Sequence, residues 1–278
     1  MTSLSIKACC ADLYASDLAR LVLGDSFHPG GIELTQRLGV LLGLGSEGRV
    51  LDLASGRGAS ALHLAGRFGC QVVGVDYSTA NVSAAREAAE RDGLTARLHF
   101  QEGDAEHLPD FADASFDAVL CECAFCTFPD KPAAIREIAR VLRPGGRFGL
   151  SDLIRRRPLP ADLQGPLAWI ACIADALPVE GYVAECEAAG LVVEHVEEDD
   201  GVLAELVREI RSRLFGAHLL VCLKQLELPG IDWPRLTGDQ ERLRRQLLGT
   251  EVHDDIAVGG AAHPVYSGCQ FQQHAFML

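Results

Sequence analysis

The sequence lacks an excess of basic residues, and it lacks any apolar run long enough to cross a membrane. Its 25 lysine and arginine residues are outnumbered by 39 aspartates and glutamates, which leaves a formal net charge of −14. Such a charge disfavours attraction to phosphate backbones. No apolar stretch approaches the ~20 residues that span a bilayer, and the N-terminal residues do not form a signal-peptide pattern. We therefore expect a cytoplasmic protein that binds neither nucleic acid nor membrane.

Zinc-type cysteine spacing is also missing, although the chain has ten cysteines. One Cys-x-Cys-x-x-Cys run covers Cys121, Cys123 and Cys126, but no second Cys-x-x-Cys accompanies it, so a structural zinc site is not indicated. Without a secretion signal, the cysteines are expected to be thiols rather than a disulfide framework. Two interpretations stay open: the thiols are small buried hydrophobic groups, or some of them converge on a soft ligand.

Alternating strand and helix patterns fill the centre of the chain. Hydrophobic residues make up 48% of the sequence, enough for a sizeable core. The predicted strands cover 49–54, 70–76, 96–101, 116–123 and 146–152, and the predicted helices between them cover 59–68, 79–92 and 131–142. This order predicts an α/β fold with a doubly wound, mostly parallel sheet. Ligands in such sheets bind beyond the carboxyl ends of the strands.

The chain divides into three predicted parts. Residues 1–48 form an N-terminal helical cap, residues 49–197 form the core, and residues 198–278 form a helical and strand extension that completes or covers the core. The further predicted elements are helices over 12–23, 33–44, 167–177, 179–189 and 202–215, a strand over 191–196, and a strand within 264–277.

The most informative motif is a glycine loop after the first strand. Residues 50–60 read Val-Leu-Asp-Leu-Ala-Ser-Gly-Arg-Gly-Ala-Ser, and the next strand ends at Asp76. Glycine lets backbone N–H groups approach a ligand, and the helix that follows begins with N–H groups that can bind polar or anionic groups. An acidic residue at the end of the next strand can accept hydrogen bonds from both ribose hydroxyls. The pattern therefore predicts a site for a nucleoside cofactor.

Two cofactor classes share this pattern. Gly56-x-Gly58-x-x-Ala61 also fits the dinucleotide fingerprint, so a nicotinamide enzyme stays open as an alternative. Three features favour a different nucleoside. A helical segment precedes the first strand, Asp104 follows the third strand where an adenine amino group would lie, and Leu142-Arg-Pro-Gly-Gly146 makes a tight turn into the fifth strand.

Taken together, residues 48–153 resemble the class I S-adenosylmethionine-dependent methyltransferases. The resemblance implies their seven-stranded, Rossmann-like fold and S-adenosylmethionine as the cofactor. The positions that it assigns to the cofactor are Asp52, Gly56 and Gly58 for the methionine part, Asp76 for the ribose, and Asp104 with the Ala105 backbone for the adenine. Tyr14 is a candidate lid residue over the cofactor, and Cys121 is a further candidate for a cofactor contact.

The segment after the fourth strand is expected to face the methyl group of the cofactor. There, Cys121 to Lys131 resembles the corresponding segment of the arsenite methyltransferases, whose arsenic-binding cysteine matches Cys123. Trp169 to Leu177 is similar to the helix that carries another such cysteine, at Cys172. The resemblance implies that both thiolates hold trivalent arsenic as the substrate, since soft ions favour thiolate ligands.

The chemistry implied by that resemblance needs no general base, because the lone pair of trivalent arsenic attacks the methyl carbon directly. The protein must place arsenic in line with the sulfonium, at roughly 3–3.5 Å from the methyl carbon. A third thiolate is expected from Cys9 or Cys10, or from a small thiol such as glutathione, because Ala61 stands where some relatives have a cysteine. Small thiols or a thioredoxin-type reductant would restore the trivalent state between cycles.

Other functions stay open on the sequence. A small organic acceptor such as a quinone, a sterol or a natural product would suit the apolar segment 167–177 equally well. A metalloid sensor would bind arsenite without methyl transfer. His28 either orients a substrate or caps the next helix. Glu122 is expected to alternate away from Cys123 along the strand, although its backbone could contact the cofactor. In an ideal strand Cys121 shares a face with Cys123, so Cys121 is a fallback thiol if the strand covers both residues.

Overall fold

The computed structural model describes the central part of the chain and short pieces beside it. The described residues are 7–8, 11, 14–15, 28–156, 175–199, 201, 204–205, 208–210, 212–213 and 273–277. Their strands are β1 (Arg49–Leu53), β2 (Gln71–Asp76), β3 (Leu98–Glu102), β4 (Phe116–Glu122), β5 (Leu142–Ser151), β6 (Leu191–Val196) and β7 (Gln273–Met277). Their bounded α-helices are α1 (Gly31–Leu41), α2 (Ala59–Phe68), α3 (Thr79–Arg91), α4 (Lys131–Val141) and α5 (Val179–Ala188).

The seven strands form one parallel sheet in the order β3-β2-β1-β4-β5-β7-β6. The predicted Rossmann-like α/β fold is therefore confirmed. The neighbours of β1 are β2 on one side and β4 on the other. The strands β2 and β3 are therefore added on one side of β1 and the later strands on the other, so the strand order reverses between β1 and β4. In open parallel sheets a crevice forms at such a reversal, beyond the carboxyl ends of the strands.

Two hydrophobic layers cover the faces of the sheet, because successive strand residues point to opposite faces. Val50 and Leu120 pack with α1, α2 and α3 in one layer. Leu51 and Val119 pack with α4 and α5 in the other. Burial on both faces explains the near-continuous apolar runs of the central strands.

Local sequence signals explain where helices begin and end. The Ser78 hydroxyl accepts a hydrogen bond from the Asn81 N–H at the start of α3, and the Asp130 carboxylate accepts one from Ala133 N–H at the start of α4. Gly69 ends α2 in the left-handed region, with φ of 71°. These caps place the helix starts where the sequence predicted them.

The predicted strands and helices of the core are confirmed with small shifts of their ends. The largest shift is in β5, which begins at Leu142 rather than at residue 146 because Leu142 already pairs with Phe116 of β4. The predicted helix over 33–44 is seen as α1, and β7 lies within the strand predicted for 264–277. The helix predicted over 12–23 lies almost wholly outside the described residues.

The helix predicted over 167–177 does not extend to its expected end. Residues 175–177 are non-helical, and residues 167–174 lie outside the described part of the chain. Pro178 explains the error, since a proline disfavours helical backbone in the residue before it. None of the helices among the described residues is long and apolar enough to cross a membrane.

Candidate functional site

A cavity opens at the predicted place, beyond the carboxyl ends of the first four strands. The loop after β1, the last residue of β2, the turn after β3 and the end of β4 all contribute to its wall. Lys7, Ala11 and Tyr14 of the N-terminal segment line it as well. Residues far apart in sequence therefore share one site.

The two glycines of the loop do different things. Both have positive φ, 53° at Gly56 and 83° at Gly58. A Cβ on Gly56 would meet no atom of the described residues within 4 Å, and Gly56 lines the cavity, so its backbone is open to a ligand. A Cβ on Gly58 would lie 2.8 Å from Phe100 Cζ and 3.1 Å from Ala85 Cβ. Gly58 therefore allows close helix-to-sheet packing, and its expected contact with the methionine part stays a prediction.

Asp76 holds the glycine loop in place. Its Oδ2 accepts a hydrogen bond from the Gly56 N–H at 2.8 Å, and its Oδ1 accepts from the Ser78 N–H at 2.9 Å and the Asn81 Nδ2 at 3.2 Å. Burial raises the pKa of Asp76, although these three hydrogen bonds act in the opposite direction. The carboxylate lines the cavity, at the position expected for a ribose contact.

Asp52 is a buried carboxylate with an unmet hydrogen-bonding capacity. Its Oδ2 has no hydrogen-bond partner among the described residues, and the residue lines the cavity. Burial raises the pKa of Asp52 well above its usual range, and the negative charges of Glu122 and Asp76 add to this shift. A hydrogen bond from the Ala61 backbone N–H opposes it. A ligand cation placed beside Asp52 would relieve both the burial and the repulsion.

The residues present fit S-adenosylmethionine. Its methionine part carries an ammonium group beside a positively charged sulfur, and the orphaned oxygen of Asp52 suits that ammonium. Asp76 suits the ribose hydroxyls, and the open backbone of Gly56 lets the ligand approach. The charged residues that line the cavity are mostly acidic: Asp52, Asp76, Asp104 and Glu122, against Lys7 and Arg57.

The part of the cavity predicted to hold the adenine, around Asp104 and Ala105, contains an ion pair that the sequence did not indicate. Asp104 and Ala105 line the cavity as expected, and Lys7 Nζ lies 2.8 and 2.7 Å from the two carboxylate oxygens of Asp104. Lys7 also donates a hydrogen bond to Glu106. Burial lowers the pKa of Lys7, but the hydrogen bonds to the two carboxylates outweigh it and raise the pKa overall.

A polar cluster lies at the opposite side of the cavity, around the Glu122 carboxylate. Glu122 accepts hydrogen bonds from Thr35 Oγ1 at 3.1 and 3.0 Å and from Ser60 Oγ at 2.5 Å. His28 Nε2 lies 3.7 Å from Glu122 Oε2, and His28 Nδ1 lies 3.2 Å from the Pro29 carbonyl oxygen. His28, Ser60 and Glu122 line the cavity, and among the described residues no side chain caps the start of α1. The His28 side chain belongs to this cluster, so the prediction that it caps the helix is wrong.

The His28 ring faces the oxygen atoms of this cluster. Its Nε2 lies 3.4 Å from Thr35 Oγ1 and 3.5 Å from Ser60 Oγ. The Glu122 carboxylate can only accept hydrogen bonds, and it accepts them from the same two hydroxyl groups. A histidine and a buried carboxylate therefore lie side by side at the cavity wall.

Cys123 lines the cavity, whereas Cys121 does not. The strand β4 ends at Glu122, and Cys123 has a left-handed backbone with φ of 51°. Because Cys123 lies outside the strand and has a left-handed backbone, Cys121 and Cys123 do not share a strand face as ideal alternation predicts. Cys121 is fully buried among core residues, and burial raises the pKa of its thiol well above the usual range. Cys121 thus has a packing role, and its expected cofactor contact stays a prediction.

The other predicted thiols cannot be compared in this way. Cys9, Cys10 and Cys172 lie outside the described residues, although Lys7 and Ala11 on either side of the first two line the cavity. Within the described ranges, no group of three or more histidines, cysteines or carboxylates has the arrangement of a metal site. The predicted site residues that the cavity brings together are Tyr14, Asp52, Gly56, Asp76, Asp104, Ala105 and Cys123.

Comparison with known proteins agrees with this site. Residues 51–150 match a family described as a methyltransferase domain. The chain is 32% identical to methyltransferase GfsG of Streptomyces halstedii, over 64% of the chain and 69% of that protein. It is 34% identical to the 27-O-demethylrifamycin SV methyltransferase of Amycolatopsis mediterranei, over 66% of the chain and 72% of that protein.

A third relative and a solved structure extend the comparison. The arsenite methyltransferase of Halobacterium salinarum is 34% identical, over 66% of the chain and 47% of that protein. The structure of Haemonchus contortus phosphoethanolamine N-methyltransferase 2 with S-adenosyl-L-methionine has a TM-score of 0.68 and 22% identity. The match covers 88% of the chain and 54% of that protein, and at this identity it supports the fold alone.

Proposed function

Because the chain belongs to the class I S-adenosylmethionine-dependent methyltransferases, we propose that its methyl acceptor is trivalent arsenic held by Cys123 and Cys172. Family membership decides between the two cofactors that the glycine loop left open: the chain is a methyltransferase that uses S-adenosylmethionine. The proposal concerns the acceptor. The single observation that carries it is the Cys123 thiol in the wall of the cofactor cavity.

The residues of this chain divide the work of holding the donor. Bound S-adenosylmethionine supplies a methyl group made electrophilic by the positively charged sulfur. Asp52 would bind the ammonium of the methionine part, and Asp76, which fixes the Gly56 backbone, would bind the ribose hydroxyls. Asp104 would accept a hydrogen bond from the adenine amino group in competition with Lys7. These roles leave the end of β4, where Cys123 lies, for the acceptor.

Arsenic suits the end of β4 because a soft ion binds thiolates and brings its own nucleophilic lone pair. That lone pair would form the bond to the methyl carbon while the carbon–sulfur bond breaks and its electron pair stays on the sulfur of S-adenosylhomocysteine, so the acceptor needs correct placement rather than a base. Arsenic would become pentavalent in this step, and a small thiol would reduce it to the trivalent state. Cys123 comes directly after the strand, has a positive φ and lines the cavity. The identity to an arsenite methyltransferase over 186 residues supports the same acceptor.

Cys172 is proposed as the second thiolate because it lies only three residues before Asp175, which is near the site. Asp175 forms an ion pair with the buried Lys131, and Ala176 packs against Cys126 in a cluster that Cys123 also contacts. Three residues of chain span at most ~11 Å, so Cys172 is within reach of this neighbourhood. Anchoring at residues 175 and 176 therefore supports a site with thiols from both segments.

An organic hydroxyl is the second candidate acceptor, and the His28–Glu122 pair favours it. The Glu122 carboxylate, with His28 beside it at the cavity wall, can accept the proton of a hydroxyl group, a step that arsenic does not require. The name of the relative from Amycolatopsis mediterranei is 27-O-demethylrifamycin SV methyltransferase. On this second candidate function, the acceptor of this chain would be the hydroxyl group of a natural product.

A methyl-transfer assay separates the two candidates. The full chain is incubated with methyl-labelled S-adenosylmethionine, glutathione and one acceptor: arsenite, methylarsenite, or a panel of hydroxylated quinones and macrolides. We expect labelled arsenicals from the unchanged protein and loss of at least about a hundredfold in rate in Cys123→Ser and Cys172→Ser, because a serine hydroxyl is a poor ligand for a soft ion.

Cys70→Ser is the matched control for this assay. Cys70 lies before β2, at the end of that strand away from Asp76, and its thiol donates to the Leu64 carbonyl oxygen, as a serine hydroxyl also can. Its rate with arsenite should be unchanged. Methylation of a hydroxylated compound at equal rates in the unchanged protein and in Cys123→Ser, with no labelled arsenical, would replace arsenic by the organic acceptor.

A further inference from the structure

Two cysteines of the arsenic-facing segment lie on one tight turn. Cys123 and Cys126 are separated by two residues, and a short 3₁₀ helix spans Phe125–Thr127. The Thr127 N–H donates to the Ala124 carbonyl at 2.8 Å, which folds the turn back on itself. Cys123 lines the cavity, and Cys126 is 1% exposed. Cys123 therefore borders the ligand space, whereas Cys126 is buried in the protein interior.

The two thiols belong to the same apolar cluster. Cys126 and Ala176 form its buried centre, and Tyr14, Cys123 and Leu153 pack against it. Cys121, only two residues before Cys123, belongs to the main core instead. The backbone is left-handed at Cys123, and Cys123 packs with the cluster of Cys126 rather than with that of Cys121.

Tyr182 is a buried neighbour of this cluster. Its hydroxyl donates to the carbonyl oxygen of Leu153, a residue of the cluster, at 2.8 Å. Burial, followed by the charge of Asp152, raises the pKa of Tyr182, and Cys126 and Cys123 add smaller contributions in the same direction.

Polar contacts fix the backbone of Cys126 on both sides. Its N–H donates to Asp152 Oδ2 at 2.7 Å, and its carbonyl oxygen accepts from Lys131 Nζ at 3.2 Å. Lys131 is only 5% exposed and also donates to the Phe128 carbonyl oxygen at 3.1 Å. A turn held in this way loses little conformational freedom when its two thiols bind one ligand.

We propose that Cys123 and Cys126 together chelate a trivalent arsenical, an inference that rests on the proposed function. The ligand enters at Cys123 from the cavity and gains its second sulfur from Cys126. With an organoarsenic oxide, two S–H bonds and the arsenic–oxygen bond break, two arsenic–sulfur bonds form, and the oxygen leaves with both protons as water. Arsenic stays trivalent, and no oxidant or reductant takes part. Cys172 then supplies a third ligand rather than the second one.

The test uses phenylarsine oxide, which binds two neighbouring thiols far more tightly than one. The full chain is titrated with this reagent in excess glutathione, which removes arsenic held by a single thiol. The sample is then quenched in denaturant with N-ethylmaleimide, so that buried thiols also react, and the unlabelled cysteines are mapped by mass spectrometry. We expect Cys123 and Cys126 to be protected together.

Three variants make the result decisive. In Cys126→Ser, protection of Cys123 should need roughly a hundredfold more reagent, because the chelate is lost. In Cys172→Ser and in the Cys70→Ser control, joint protection should remain. Protection of Cys123 that survives Cys126→Ser but is lost in Cys172→Ser would overturn the chelate. Thermal unfolding with S-adenosylmethionine checks that each variant is folded, and Cys126→Ala replaces Cys126→Ser if the latter is not.

The same samples distinguish this inference from the proposed function. Joint protection of Cys123 and Cys126 without any labelled arsenical in the methyl-transfer assay supports the chelate and refutes the acceptor. Methylation of arsenite at an unchanged rate in Cys126→Ser refutes the chelate and leaves the acceptor standing.

Discussion

Replacing Asp52 with asparagine tests the cofactor end of the cavity, because it removes one buried charge and changes the shape of the side chain very little. Asp52 is 2% exposed, and its Oδ2 has no hydrogen-bond partner among the described residues. Glu122 and Asp76 repel its charge, and burial is the largest cause of its raised pKa. Without cofactor, the chain therefore carries a group that disfavours the folded state.

Two effects of opposite sign are expected from Asp52→Asn. Loss of the unpaired buried charge should raise the free energy of unfolding without cofactor by ~1 kcal/mol. For a domain of this size that corresponds to an unfolding temperature ~2–4 °C higher. Loss of a charge-assisted hydrogen bond to the methionine ammonium should cost ~1.5–3 kcal/mol of binding, or roughly 10- to 150-fold in Kd. The variant is expected to be more stable and to bind its cofactor less well.

The pH dependence has a definite sign. A folded-state pKa above the unfolded value means that the unchanged protein loses stability as pH rises from the ordinary aspartate pKa, 3.8, through the raised one. A cation favours the ionised carboxylate, so cofactor binding releases protons in the same window. The affinity of the unchanged protein for S-adenosylmethionine should increase with pH until Asp52 is fully ionised, and the affinity of Asp52→Asn should lack this component.

Thermal unfolding without cofactor and calorimetric titration with S-adenosylmethionine measure the two effects. Asp92→Asn is the control, because Asp92 is an exposed carboxylate at the end of α3, and it should leave both quantities unchanged. A variant at position 52 that unfolds at a lower temperature and binds S-adenosylmethionine within twofold of the unchanged protein would refute the assignment of Asp52 to the ammonium.

Three further substitutions test the glycine loop and the Glu137–Arg140 ion pair. Gly58→Ala places a methyl group 2.8 Å from Phe100 Cζ at a positive φ, and it should lower the free energy of unfolding by ~2–3 kcal/mol in chemical denaturation. Gly56→Ala has open space around its Cβ, so it should cost only ~1 kcal/mol of stability but weaken cofactor binding in calorimetry. Glu137→Gln should cost ~1–2 kcal/mol at pH 7, because Glu137 pairs with Arg140 at 2.8 Å. Hydrogen bonds from Arg140 lower the pKa of Glu137 below its ordinary 4.5, so that difference should disappear as pH falls through the lowered value.

The backbone of the site could be predicted from the sequence because its signals are local. The apolar strand, the glycine loop and the acidic strand end at Asp76 each depend on neighbouring residues, and parallel topology alone brings the strand ends together. The position of Asp104 followed from the same rule. These features needed no knowledge of side-chain contacts between distant segments.

The side-chain network could not be predicted, because it depends on conformations and contacts that leave no periodic pattern. Cys121 and Cys123 were placed on one face by ideal strand alternation, and a single positive φ at Cys123 separates them. Glu122 was expected to alternate away from Cys123, yet both residues line the cavity. Glu122 accepts hydrogen bonds there from Thr35 and Ser60, which come from two different helices. Pairs so far apart in the chain give no signal in one sequence.

The place of β7 in the sheet constrains the order in which the protein folds. Gln273–Met277 pairs with β5 on one side and with β6 on the other, so these two earlier strands do not pair with each other. During synthesis, β5 and β6 can pair with β7 only after the ribosome has also made residues 197–272, which separate β6 from β7 in the chain. Contacts between such distant segments form slowly, and unpaired strand edges invite association with other chains. The half of the sheet that contains β1 to β4, and with it most of the cofactor cavity, can be complete before that wait ends.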